Sequence, residues 1–278
     1  MEVVITAGQV NDLRAKTGAG MMDCKKALVE ANGDIQEAID ILRKKGQKVA
    51  AKRGDNEAKE GLAIAKVFNG GKSGLVLALN CETDFVAKNE TYYKLVESFV
   101  DLAIKTRPAS VEALMNEKYD SSLTVAEKIT EQVGVIGEKL EISNLSIIDA
   151  EAVIAYNHPG NQIASLVGIN KGGDAALDAG KKVAMQVASM APIALNKEGV
   201  DADTIRREVE IGKELAIQEG KPADMAEKIA QGRLQKFFKE STLLQQEFIL
   251  DNKKSVEQFL NDTLAGLTVT DFKRVSLK

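Results

Sequence analysis

Residues 61–80, GLAIAKVFNGGKSGLVLALN, and residues 151–170, EAVIAYNHPGNQIASLVGIN, align with one another, and this internal duplication limits the folds open to the chain more than any other feature. Each copy reads as strand, turn, strand. In the first, apolar runs at 62–68 and 75–79 are separated by Asn69-Gly70-Gly71; in the second, runs at 153–156 and 163–170 flank His158-Pro159-Gly160-Asn161. Gly, Asn and Pro supply the backbone angles that tight turns demand. A helical pattern follows each copy, over 89–106 and 174–190. A small sheet has apolar surface that another layer must cover, so the duplicated unit predicts an α+β fold with two similar antiparallel sheets, each covered by helices. Between the copies, Val125, Ile129, Val133, Ile136 and Leu140 fit a further amphipathic helix.

The flanking segments have a different texture. Thr6 and Gln9 fit a capping box ahead of Val10 and Leu13, and Thr17-Gly18-Ala19-Gly20 breaks that helix. A second helix carries Cys24, Ala27, Leu28 and Ala31 and stops at Asn32-Gly33; a third opens at Asp34 and Glu37, places Ile35, Ala38, Ile39 and Leu42 on one side, and is expected to end before Gly46. Residues 43–53 then hold six basic and no acidic side chains. This run reads as a solvated helical linker rather than a nucleic-acid patch, because no aromatic interleaves it for base stacking. Later, Asp201 opens a charged helix, Gly220-Lys221-Pro222 reverses the chain, and a second helix continues to about Phe237. Ile205, Val209 and Gly212 are expected to face Met225, Ile229 and Gly232 across an antiparallel hairpin. Ser255 caps a short helix, and residues 268–275 read as a last strand returning to the second sheet. The expected divisions are a helical unit with its linker at 1–54, a first core subdomain at 55–145, a second at 146–199 and 238–278, and the inserted hairpin at 200–237.

Of 278 residues, 44% are apolar and 28% charged, with a formal net charge of −4, so nothing global draws the chain to nucleic acid or membrane. The first 30 residues lack the apolar stretch of a signal peptide, and no segment approaches the roughly 20 apolar residues of a spanning helix; the expected location is cytoplasmic. Cys24 and Cys81 form no CxxC and read as small core residues. His158 is the lone histidine, which excludes a His-rich metal site, and no G-x-S-x-G is present. GGKSG at 70–74 imitates a phosphate-binding loop, but position 66 is Lys66 where that motif needs Gly, and a strand follows where the motif needs a helix. It reads as a hairpin turn. The chain therefore looks like a protein-binding factor rather than an enzyme, with no cofactor and no nucleotide site of its own.

One loop stands out. NCETDFVAKN at 80–89 joins the end of a strand to a helix and sets Phe85 beside Asp84 in a chain with only 4% aromatic residues. Read from the residues alone, Phe85 is either a core ring tucked under the following helix or an exposed contact for a partner. Glu82 and Asp84 read as surface carboxylates rather than a general acid and base. Met21 and Met22 are adjacent at a helix start, so they cannot both face a three-helix core, and one at least should be an exposed, adaptable contact.

LRAKTGAGMMDCKKAL at 13–28 and NCETDFVAK at 80–88 closely resemble the two signature segments of bacterial elongation factor Ts, the exchange factor family acting on elongation factor Tu. The resemblance extends over nearly the whole chain, including GKPADMAEKIAQGRLQKFF at 220–238. It implies a ubiquitin-associated-like N-terminal bundle, a duplicated core and a coiled-coil hairpin. It also implies that the chain promotes exchange of GDP for GTP on elongation factor Tu, with Thr83, Asp84, Phe85 and Val86 as a wedge that displaces the bound magnesium. Arg14, Met21, Met22 and His158 match positions that hold the G domain. Two departures stand: Ala78 replaces the Glu common before Leu-Asn, and the sequence stops soon after Val275, without the C-terminal helical module of some members. Homodimerisation stays open. A nucleic-acid-binding accessory protein, or an adaptor acting through its N-terminal bundle alone, are the competing readings.

Overall fold

The structure, a computed structural model, describes residues 4–277, and of residues 223 and 224 the backbone alone. Helix α1 (Ala7–Thr17) starts where the Thr6 hydroxyl accepts the Gln9 N–H and the Gln9 side chain receives the Thr6 N–H, and Gly18, at φ 70°, ends it. Helices α2 (Met21–Glu30) and α3 (Ile35–Arg53) close with it over Val10, Leu13, Cys24, Ala27, Leu28 and Ala38.

The first unit runs β1 (Glu60–Phe68), β2 (Ser73–Cys81), a one-turn helix α4 (Asp84–Ala87), α5 (Glu90–Thr106), α6 (Val111–Asn116), α7 (Val125–Ile136) and β3 (Glu141–Asp149). Its sheet has the antiparallel order β1-β2-β3. Strand β3 escaped the sequence reading: its side chains are mostly half-exposed, so it carries no continuous apolar run. Leu140, expected on a helix, enters the core from the loop after α7, because Gly137 at φ 81° ends that helix first. GGKSG lies in the tight turn between β1 and β2 and at the start of β2, as its flanks required.

The second unit begins β4 (Ala152–Asn157), β5 (Ile163–Ile169) and α8 (Asp174–Met190). Helices α9 (Ala202–Gln218) and α10 (Ala223–Ser241) follow, then the two-stranded β6 (Glu247–Phe248) and β7 (Asp251–Ser255), α11 (Val256–Thr263) and β8 (Val269–Ser276). The order of the second sheet is β4-β5-β8, so the last strand does return to it. The duplication shows in a shared detail. Asn80, one residue before the end of β2, and Asn170, one residue past the end of β5, each clamp the chain beside them, Asn80 with Ala58 and Ser143, Asn170 with Gly266 and Thr268.

Strand β2 is buried along its whole length because both sheet faces are covered. Leu62, Ile64, Leu75, Leu77 and Leu79 pack on the helices of the first unit around Tyr92, Phe99 and Val100. The other face carries the smaller Ala63, Ala65, Val76 and Ala78, which meet Val153, Ala164 and Leu166 of the second sheet. The sheets approach so closely that a Cβ on Gly74 would lie 2.6 Å from Val153 Cγ1 and 2.8 Å from Leu166 Cδ2.

Two sequence expectations need correction. Helix α3 does not stop before Gly46, and residues 43–53, helical as read, are not solvated on every side, since Val49 and Ala50 pack against the first core. The helix runs on to Arg53 and crosses α7 at two glycines, where a Cβ on Gly134 would sit 2.7 Å from Gly46 Cα. Gly46 is there for close helix approach rather than as a terminator. In the α9–α10 pair, Gly232 and Met225 do not face the partner helix: a Cβ on Gly232 would meet nothing within 4 Å, and Met225 is 50% exposed. The buried residues are Gly212 and Ala216 on α9 and Ala226, Ala230, Leu234 and Phe238 on α10, spaced by four on each helix, with Lys213 and Glu227 ion-paired.

Candidate partner-binding site

The apolar run of β2 ends at Cys81, and the chain turns at Glu82 and Thr83 into α4. Thr83 caps that helix: its hydroxyl accepts the Val86 N–H at 3.5 Å and donates to Glu138 Oε1 at 2.6 Å. With α4 so placed, Val86 and Ala87 turn toward the first core while Phe85 points away. Phe85 is 83% exposed, which settles its place between the two alternatives: it is not a core ring. Asp84 turns to the Lys88 ammonium at 2.6 Å, and this hydrogen bond holds its carboxyl below the ordinary value.

The root of the loop is held from both sides. Glu138 Oε2 accepts the N–H groups of Glu82 and Thr83 at 3.1 and 3.0 Å. In return, Glu82 Oε1 accepts the Lys139 N–H at 2.6 Å, and its Oε2 accepts from Arg53 and Asn56 at 2.8 and 3.0 Å. Burial pushes the Glu82 pKa up, but the Lys139 N–H, the Asn56 amide and the Arg53 guanidinium together outweigh it and leave the carboxyl below its usual value. Glu82 and Asp84 thus serve separate partners and do not form an acid–base pair. Beneath the loop, the Cys81 thiol donates to Thr83 O, and burial raises its pKa to about 11, so it stays protonated and inert. Cys24 and Cys81 are both buried, free, small core residues.

The turn of the second unit is brought alongside by hydrogen bonds to β1. Asn157 donates to Ala65 O and accepts the Ala65 N–H, Asn161 O accepts the Ala63 N–H, and Gln162 donates to Glu60. A shallow depression lined by Glu60, Asp84, Lys88, Gly160 and Gln162 therefore lies between α4 and that turn. His158 sits exposed on the turn, with Nδ1 3.1 Å from the Tyr156 hydroxyl. Arg14 is exposed on α1, and Met21 and Met22 are 55% and 63% exposed at the start of α2. Their helices connect to the Phe85 loop through α3, whose Arg53 reaches Glu82.

Glu138, Lys139, Arg53 and Asn56 were not legible as parts of this site. Glu138 lies 55 residues from Thr83, and nothing in the local sequence GEKLE distinguishes it from a surface carboxylate. Among the described residues no helix is long and apolar enough to cross a membrane, and no group of three or more His, Cys, Asp or Glu side chains could hold a metal ion.

Residues 82–278 match the family model described as Elongation factor TS. The elongation factor Ts of Christiangramia forsetii is 51% identical over 273 residues, covering 98% of each chain. That of Amoebophilus asiaticus is 50% identical over 275 residues, covering 98% of this chain and 99% of its own, and that of Porphyromonas gingivalis is 42% identical with 99% of each chain covered. With the family model matching most of the chain and relatives matching over nearly all of both chains, the chain belongs to the elongation factor Ts family, the factors that exchange GDP for GTP on elongation factor Tu.

Proposed function

We propose that Phe85, carried on α4 with Thr83, Asp84 and Val86, is a wedge that enters the GTPase domain of elongation factor Tu and displaces the magnesium ion beside GDP. The observation that carries this reading is an aromatic ring 83% exposed on a turn whose root is fixed by hydrogen bonds. A rigid apolar ring can occupy a cleft while moving its walls, and loss of the divalent ion leaves the charge of the diphosphate uncompensated. Thr83 and Val86 hold the ring in place, and Asp84 presents its polar edge. His158 makes a second contact from the neighbouring turn. Arg14, Met21 and Met22 grip the same domain from the N-terminal helices, with the methionines as adaptable apolar contacts.

On this reading the chain acts in the cytoplasm and binds no nucleotide itself. It divides into a ubiquitin-associated-like unit at 1–54, core subdomains at 55–145 and at 146–199 with 238–278, and a coiled-coil hairpin at 200–237. The basic run at 43–53 has no aromatic for base stacking, and two of its six basic side chains, Lys45 and Arg53, are ion-paired within the chain, which speaks against nucleic acid as the partner. Release of a fluorescent GDP from elongation factor Tu, with and without this protein, tests the reading. Linkage also requires GDP to weaken binding of the factor as much as the factor weakens binding of GDP. Equal affinities by calorimetry, with and without saturating GDP and magnesium, would overturn it.

A further inference from the structure

We propose that Glu138 is a positioning residue for exchange, aligning Thr83 and the root of α4 so that Phe85 meets the partner at a fixed angle; this rests on the reading of Phe85 as the wedge. Three donors converge on one carboxylate. Oε2 receives the Glu82 and Thr83 N–H groups at 3.1 and 3.0 Å, and Oε1 receives the Thr83 hydroxyl at 2.6 Å. An ionised carboxylate accepts at both oxygens and donates at neither, which matches three donors, and the hydrogen bonds are charge-assisted.

The hydroxyl bond has a consequence one turn further on. A threonine hydroxyl has one proton and two lone pairs. With its proton given to Glu138, the lone pairs are left for the Val86 N–H, which is the cap of α4. Glu138 therefore acts on the helix that carries the ring without touching the ring. A helix of four residues has almost no stability of its own, so its direction depends on such outside support.

The support is also tied to the rest of the molecule. Gly137 ends α7 in the left-handed conformation, so Glu138 and Lys139 leave the helix directly toward the loop. Glu138 takes N–H groups from the loop while the loop's Glu82 takes the Lys139 N–H, a reciprocal pair that fixes translation and rotation together. Helix α7 is in turn seated on α3 at Gly134 and Gly46, and α3 sends Arg53 to Glu82. The exposed ring thus stands on a frame made of two crossed helices.

The test uses the full chain. Glu138→Gln keeps the size of the side chain but replaces one oxygen by an NH2 group, so whichever way the amide turns at least one of the three donors loses its acceptor. GDP release from elongation factor Tu is followed at increasing factor concentration. The plateau rate is expected to fall roughly ten- to hundredfold, the scale of a small misplacement of a reacting group, with the half-saturating concentration little changed. Thr83→Val, which removes the hydroxyl from the other side, should reproduce the loss. In a Phe85→Ala background, Glu138→Gln should add almost nothing, because both changes act through one ring. A wild-type plateau for Glu138→Gln, or a full additional loss on top of Phe85→Ala, overturns the assignment while leaving the wedge standing. A Phe85→Ala protein with a wild-type plateau overturns the wedge and this role together.

Discussion

Replacing Phe85 by alanine separates partner contact from stability with unusual clarity. Fully burying a phenylalanine side chain is worth about 1.5–3 kcal/mol, and a ring 83% exposed retains only a small share of that in the free protein. The mutant should lose no more than about 0.5 kcal/mol, a shift of roughly 1–2 °C in Tm. Phe99, 0% exposed in the first core, provides the contrast: its replacement by alanine should cost about 3–5 kcal/mol and roughly 10 °C. In exchange the ranking reverses. If the ring is buried against the partner only when magnesium is displaced, the same 1.5–3 kcal/mol is missing from that state, and maximal GDP release slows roughly ten- to hundredfold. The assay is stopped-flow release of fluorescent GDP at saturating factor and magnesium, repeated with chelator. With the ion already removed, the gap between wild type and Phe85→Ala should shrink. A mutant with wild-type release in saturating magnesium would refute the reasoning, and a gap unmoved by chelator would place the ring's action on the nucleotide's phosphates or base instead.

Met21→Ala combined with Met22→Ala should raise the half-saturating concentration about tenfold and leave the plateau nearly unchanged, if these exposed side chains of α2 grip the partner as proposed while the ring of α4 acts in displacement; a collapsed plateau at normal affinity would show that they act in displacement. Gly134→Ala should destabilise by about 1–3 kcal/mol despite alanine's higher helix propensity, because its Cβ would collide with Gly46, whereas Gly232→Ala, with nothing within 4 Å, should stabilise by roughly 0.5–1 kcal/mol. Equal Tm shifts in the two would contradict the crossing geometry. Glu82 has a folded-state pKa below the ordinary carboxyl value of 4.5, so its stabilisation is complete above that pH and is lost as the pH falls through the folded value. Thermal melts should therefore show Glu82→Gln below wild type at pH 7 and converging on it as the solution is acidified below about pH 4.5; parallel curves would remove Glu82 from the acid response.

Periodicity, turn residues and caps are local, and what depended on them was legible in the sequence by itself. The duplicated strand pairs, the helix at Asp174–Met190, the capping box at Thr6 and the cap at Ser255 all follow from residues within a few positions of one another, whereas the last strand's place beside β5 is a pairing across 100 or more residues. At least one of the adjacent Met21 and Met22 could be assigned to the surface because one helix face cannot hold both; that both are exposed shows only in the fold. Other features depended on which distant segments meet, and only the tertiary structure decided them. A glycine such as Gly46 looks like a terminator until Gly134 is found against it. Strand β3 is half-exposed and gains its identity from pairing with β2. Whether Phe85 faced the core or the solvent was undetermined by its neighbours in sequence; in the folded chain Val86 and Ala87 turn to the first core and Phe85 away from it, on a turn whose root is hydrogen-bonded to Glu138, 55 residues from Thr83. A hydrogen bond between residues so far apart leaves no local pattern, because its geometry exists only after the chain has folded.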